Sequence, residues 1–153
     1  MTVCNGSSIN YISAFLNSTT PGASTPTFSS SWSSGNRFAT DVNPIWTTTA
    51  DINGDGKPDL ISQNSTGGSI SVLLNTTPPG NATPVFSSSV NFTTTPTTTQ
   101  FLCAGDLNGD GKTDIAVWRG SDSNWYVLQS SDGAVQSISW GSSSAGDMPV
   151  PGD

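Results

Sequence analysis

The sequence predicts an all-β protein made of short antiparallel sheets, on three observations. Apolar residues are sparse, at 33%, and charged ones sparser, at 10%. Ser and Thr fill the difference, and Val, Ile, Phe and Trp sit among them in short runs broken by Gly and Pro, the pattern of thin sheets with polar outer faces. Second, one stretch occurs twice, Asp51-Ile52-Asn53-Gly54-Asp55-Gly56-Lys57-Pro58-Asp59 and Asp106-Leu107-Asn108-Gly109-Asp110-Gly111-Lys112-Thr113-Asp114. Each copy runs into a β-prone segment, Leu60-Ile61-Ser62 or Ile115-Ala116-Val117-Trp118. Third, the chain aligns with itself beyond these loops. Ile12-Ser13-Ala14-Phe15-Leu16-Asn17 matches Ile70-Ser71-Val72-Leu73-Leu74-Asn75, and both lead to a Thr-Pro pair and a Phe-Ser-Ser-Ser run that starts at Phe28 or Phe86.

The two loops lie 55 residues apart, and the closing Pro151-Gly152-Asp153 matches Ala104-Gly105-Asp106 at a spacing of 47. A period of about fifty residues with four β-prone segments per unit predicts propeller-type blades, each of four antiparallel strands. With the strands of a unit labelled A to D, Thr2 to Cys4 fits B, Tyr11 to Leu16 fits C and Thr27 to Trp32 fits D. The next unit has A at Ile45 to Ala50, B at Leu60 to Gln63, C at Ile70 to Asn75 and D at Val85 to Phe92. The following one has A at Gln100 to Gly105, B at Ile115 to Arg119, C at Trp125 to Gln129 and D at Val135 to Trp140, and Met148 to Gly152 begins another A. The chain therefore divides into a partial blade at 1–44, blades at 45–99 and 100–145, and a first strand at 146–153.

This is about three blades' worth, with incomplete ends that complement each other. Ring closure normally takes four to eight blades, and unpaired edges invite pairing. The expected partners are further blades of a longer chain or copies of the chain itself. In the second case the last strand of one copy completes the first sheet of the next, a head-to-tail contact that builds a ring or a filament.

In the loops, oxygen-bearing side chains fall at positions one, three, five and nine: Asp51, Asn53, Asp55 and Asp59, then Asp106, Asn108, Asp110 and Asp114. Lys57 and Lys112 at position seven can each offer a backbone carbonyl, and Gly56 and Gly111 permit the sharp turn. Such a wrap suits a hard cation, and calcium accepts six to eight oxygens in loose geometry. Two calcium sites are expected. The loops are not EF-hands, because position twelve holds Ser62 or Val117 and the chain has no Glu. The competing reading, a pair of metal-free Asn-Gly/Asp-Gly turns, accounts less well for two copies that keep every ligand.

Charge and composition exclude several classes. A net charge of −7 with 4 basic residues leaves no surface to meet phosphates, so nucleic acid is not an expected partner. Two bound divalent cations would bring that balance to about −3. No apolar run approaches membrane-spanning length. Calcium loops of modest affinity fill where calcium is plentiful, which points outside the cell. Cys4 and Cys103 are compatible with one bridge, a bridge between chains, or two thiols. The chain has no His and no Glu, and the acids outside the loops are scattered, so an enzyme is not expected.

Six sequons, at Asn5, Asn17, Asn64, Asn75, Asn81 and Asn91, are candidate glycan acceptors. The Thr93–Thr99 run reads as a solvated connection between blades, with O-glycosylation as its alternative. Trp118, Trp125, Tyr126 and Trp140 cluster in sequence near Arg119. Aromatic faces stack on sugars, which makes these residues candidate ligand aromatics; blade-core packing is the other reading.

The loops with their following strands, Asp51 to Leu60 with Ser69-Ile70-Ser71-Val72-Leu73-Leu74-Asn75, and Gly105 to Trp118 with Trp125-Tyr126-Val127-Leu128, resemble the FG-GAP/VCBS repeats. Such repeats form the calcium-binding propeller of integrin α subunits and occur in many secreted microbial proteins. The closing Gly146-Asp147-Met148-Pro149-Val150-Pro151-Gly152-Asp153 also resembles the lead-in to such a repeat. The resemblance implies a blade with calcium on the A–B loop, held by the residues named above, serving adhesion, carbohydrate binding or scaffolding. The expected function is a non-enzymatic extracellular calcium-binding β-repeat scaffold or adhesion protein, assembling head-to-tail. The alternative is a lectin-like module that binds glycans.

Overall fold

The computed structural model describes residues 2–4, 10–28, 36–94 and 99–145. The strands are β1 (Thr2–Cys4), β2 (Tyr11–Ala14), β3 (Arg37–Ala39), β4 (Pro44–Ala50), β5 (Asp59–Asn64), β6 (Ser69–Leu73), β7 (Val90–Thr93), β8 (Thr99–Gly105), β9 (Asp114–Arg119), β10 (Asn124–Leu128) and β11 (Val135–Ser139). They form three antiparallel meanders, β1-β2-β3, β4-β5-β6-β7 and β8-β9-β10-β11. The all-β class and the four-stranded sheets match the sequence expectation. The sheets pack in chain order, and among the described residues they do not close a ring.

Strand alternation explains the stacking. In the second sheet Leu60 pairs with Leu73, and one step along Ile61 pairs with Val72. Because successive side chains point to opposite faces, the two pairs face opposite neighbours. Leu60 and Leu73 meet Ile12 and Ala14 of the first sheet, with Phe38 and Phe86 against them. Ile61, Ile70 and Val72 meet Ile115 and Val117 of the third. The middle sheet is therefore covered on both sides, and β5 and β6 are buried along their whole length. Each Leu or Ile so buried contributes roughly 1.5–3 kcal/mol.

The A strands share a detail. The β4–β5 register shifts between Pro44 and Trp46, and the β8–β9 register between Thr99 and Phe101, so each inner strand carries one bulge near its start. β4 lies alongside β8. There Trp46 packs on Phe101 at 5.5 Å between ring centroids, and Phe101 on Trp118 at 6.0 Å.

The D strands differ from expectation. Val85 to Phe92 is not one strand: Phe86 makes an isolated bridge to Asn75, and β7 begins only at Val90. Likewise Phe28 bridges Asn17, and β3 lies at Arg37–Ala39 rather than at Thr27 to Trp32, of which 29–32 fall outside the described residues. Side-chain competition for the backbone is the cause. Thr77 Oγ1 accepts the Val85 N–H at 2.9 Å, and Ser87 Oγ accepts the Leu74 N–H at 2.9 Å, which ties each Thr-Pro-x-Phe segment back to the end of its C strand. The C strands stop at Ala14 and Leu73, short of Leu16 and Asn75, and after Leu73 the Leu74 N–H is taken by Ser87 Oγ. The A strand expected at Met148 to Gly152 lies outside the described residues.

A polar clamp fixes the passage from the first sheet to the second. The Asp41 carboxylate accepts the Ser69 hydroxyl at 2.7 Å and the Val42 N–H at 2.8 Å, while the Asp41 N–H donates to Ser71 Oγ at 3.1 Å. Gly67 sits so close that a Cβ there would lie 2.7 Å from the Asp41 carboxylate. Replacing Asp41 by Ala removes the acceptor of the buried Ser69 hydroxyl, which keeps only the bond it accepts from the Asn64 amide, and is expected to cost about 1–3 kcal/mol of unfolding free energy. Urea denaturation of D41A checks this.

Candidate metal loops

Each loop is folded by its own side chains. Asp51 Oδ1 accepts the N–H groups of Gly54 at 2.8 Å and Asp55 at 3.1 Å, and Oδ2 accepts that of Gly56 at 2.7 Å. Asn53 Oδ1 accepts the Asp55 N–H at 3.0 Å, and Asp55 Oδ1 accepts that of Lys57 at 2.9 Å. The second loop repeats the pattern: Asp106 takes Gly109, Asp110 and Gly111, Asn108 takes Asp110, and Asp110 takes Lys112. Gly56 and Gly111 adopt φ of 80° and 81°, a region where other residues are strained.

The ninth-position acids are placed differently. Asp59 and Asp114 are completely buried. Asp59 Oδ2 accepts the Ile52 N–H at 2.8 Å from its own loop, and Oδ1 accepts the Asn75 N–H at 2.7 Å from the end of the C strand. Asp114 takes Leu107 N–H at 3.2 Å, Ser130 N–H at 2.9 Å and Ser130 Oγ at 3.2 Å. One carboxylate thus ties the A–B loop to the end of strand C. Asn75 and Ser130 are site residues that the sequence reading did not single out for this role. Their signal was positional, since both sit at the same point after strand C.

The donor set fits a hard cation. Asp, Asn and a backbone carbonyl are oxygen ligands, and an ionised carboxylate has about four acceptor positions, so those of Asp51 and Asp55 are not exhausted by the turn bonds. Among the described residues neither Asp59 nor Asp114 has a basic partner; the ion pairs there are Lys57 with Asp55 at 3.5 Å and Arg119 with Asp122. The lysine lies over position five at the exposed rim rather than in the loop's interior. Among the described residues, no three His, Cys, Asp or Glu side chains already converge as a metal cluster. The backbone N–H of Lys57 is the main cause that holds the Asp55 carboxyl below its ordinary value, and that of Lys112 does the same for Asp110.

The candidate aromatics are not brought to one platform. Trp118 is buried, Trp125 shares its face of the third sheet, Tyr126 is on the opposite face toward the second sheet, and Trp140 is 73% exposed beyond β11. Arg119 lies 4.2 Å over the Tyr126 ring and pairs with Asp122, which also accepts the Tyr126 hydroxyl at 2.8 Å. Of the sequons, Asn64 and Asn75 are buried, with amide nitrogens committed to Ser71 Oγ at 2.9 Å and to the Pro58 carbonyl at 3.0 Å. A glycan on either is incompatible with this packing. Asn17, Asn81 and Asn91 are exposed, and Asn5 is outside the described residues. Cys103 is a free thiol, and burial pushes its pKa up.

Residues 51–117 match the family model described as FG-GAP-like repeat. No curated protein and no solved structure matches the chain.

Two outcomes follow from this geometry. Asp51→Ala removes the acceptor of three N–H groups, so it is expected to lower unfolding free energy by about 1–2 kcal/mol even in chelator; an unchanged urea midpoint would show that these bonds do not hold the loop. For Asp122, burial pushes the carboxyl up, but the Arg119 bond and the Asn124 N–H outweigh it, leaving the group below its ordinary value. Its stabilisation is therefore present above about pH 4 and is lost as pH falls through the folded-state value. Urea midpoints from pH 7 to pH 2.5 are expected to fall less steeply in D122N than in the parent chain.

Proposed function

We propose that this chain is a non-enzymatic, extracellular scaffold or adhesion module whose stacked β-sheets bind calcium in the two loops and assemble with copies of the chain or with further blades. The observation that carries the reading is a loop built twice from the same side chains. Each ends in a buried carboxylate with N–H donors on two sides and, among the described residues, no basic partner. Burying such a charge is costly unless a cation compensates it.

Asp51, Asn53, Asp55, Asp59 and the Lys57 carbonyl would hold one ion, and Asp106, Asn108, Asp110, Asp114 and the Lys112 carbonyl the other. The ion would supply positive charge to the three acids that each loop carries. The chain's own residues do the rest: Asp51 and Asp106 shape the turn, and Asp59 and Asp114 fasten it to strand C. The FG-GAP-like match over 51–117 supports a β-repeat scaffold. The acids outside the loops support a non-catalytic reading: Asp41 clamps a sheet junction, Asp122 pairs with Arg119, and Asp132 accepts the Ala134 N–H in a turn. No helix is long and apolar enough to cross a membrane among the described residues.

Thermal melting with calcium, magnesium and excess chelator tests the metal. A ligand bound only by the folded chain at a hundred times its Kd adds about 2.7 kcal/mol. Calcium is expected to raise the melting temperature, and magnesium to raise it less. A melting curve indifferent to chelator, from protein that metal analysis shows to be calcium-free, would sink the assignment.

A further inference from the structure

The two sheet-to-sheet interfaces are built to the same plan but are not closed in the same way. In the first, the D-strand ring Phe38 points at the second sheet, and Phe86 meets it edge-on with 4.8 Å between centroids. Phe86 comes from the excursion that leaves strand C at Asn75 and returns at the isolated bridge. In the second interface the residue equivalent to Phe38 is Phe92, which pairs with Ile70 as Phe38 pairs with Ile12. The third sheet cannot answer it. Its C-to-D connection runs only from Gln129 to Ala134, a tight turn in which Gln129 N–H donates to the Ala134 carbonyl at 2.9 Å. It contains no aromatic residue.

A groove is left where that ring would sit. One part is about 380 Å³ and is walled by Phe92, Ile70, Ile115, Leu128 and Val135; the adjoining part is about 260 Å³ and shares Phe92, Ile115 and Leu128. Phe92 is 40% exposed and Val135 65%. An apolar cavity of roughly 150 Å³ already accepts benzene, so either part has room for a phenyl ring.

The chain also carries an unused ring of the matching kind. Phe28 occupies in the first sheet's excursion the place that Phe86 occupies in the second's. The excursions share their bonds: Ser18 N–H to Thr27 O and Thr76 N–H to Val85 O are both 2.9 Å, and Thr27 and Val85 N–H donate to Thr19 and Thr77 Oγ1 at 2.8 and 2.9 Å. Phe86 is stacked on the preceding sheet. Among the described residues Phe28 stacks on no neighbouring ring, and it is 40% exposed.

We propose that the Phe28 excursion of one copy docks in the Phe92 groove of a second copy, repeating between chains the Phe86–Phe38 contact made within one. Ring and groove lie on different parts of the molecule, so the contact is heterologous and propagates unless the geometry closes a ring. The proposal rests on the assembly part of the reading above and is independent of the metal.

Sedimentation velocity in calcium over a range of concentrations tests it on the parent chain, F28A, F92A and their equimolar mixture. The parent is expected to associate with concentration, and each variant at least 10-fold more weakly. The mixture is diagnostic: F28A keeps the groove and F92A keeps the ring, so together they should form a dimer that grows no further. A parent that stays monomeric throughout would overturn both the contact and self-assembly. A parent that assembles while F28A assembles equally well, or variants that fail to complement, would overturn this contact and leave assembly through another surface standing. Circular dichroism confirms that the variants fold, and F92L, which keeps the groove apolar, guards against misfolding of F92A. The calcium melting experiment reads the metal separately.

Discussion

The structure depends on a buried carboxylate at the corner of each complete sheet. Asp59 and Asp114 stand at the first position of a B strand, and each bonds the second residue of its loop and the first residues past strand C. A single side chain therefore joins its own strand to segments seven and sixteen residues away. A polypeptide with 33% apolar residues has little core to do this by burial alone. Hydrogen bonds that satisfy every donor around a buried acceptor take over part of that role here.

The loop's second residue links this corner to the stacking of sheets. Ile52 donates its N–H to Asp59 and packs its side chain against the core shared with the third sheet. Leu107 has the same backbone bond in the second loop, yet it is 51% exposed. The chemistry is identical and the surroundings are not. Whatever organises the first loop is thereby coupled to the packing of the second sheet on the third.

The excursions after strand C show the same logic on the opposite edge. Where the chain spends residues between strands C and D, as at Asn75 to Phe86, an aromatic ring is carried back to close the interface with the preceding sheet. Where it spends few, as at Gln129 to Ala134, the interface stays open at its rim. Connection length thus decides which sheet pairs are sealed and which keep a groove.

Much of this was legible in the sequence, for definable reasons. The loops announce themselves because their turn bonds need Asp, Asn and Gly at fixed spacing, and the A, B and C strands show because one or both of their faces must be apolar. The D strands were misplaced at Val85 and Thr27, since a Thr/Ser-rich run has high β propensity wherever it lies, and only the side-chain bonds of Thr77 and Ser87 reveal where pairing stops. Asn75 read as a sequon from its neighbours, whereas in the fold it serves Asp59 from sixteen positions away. Trp118 and Trp125 are cross-strand partners on one face of the third sheet while Tyr126 lies on the other, so the pleat separates the tyrosine from the two tryptophans beside it in sequence. The sequence alone determined the all-β class, the repeat and the two acidic loops, because these follow from local residue chemistry. Tertiary structure alone decided which acid is buried, which rings meet and which interface stays open, because those depend on contacts between segments that no local pattern encodes.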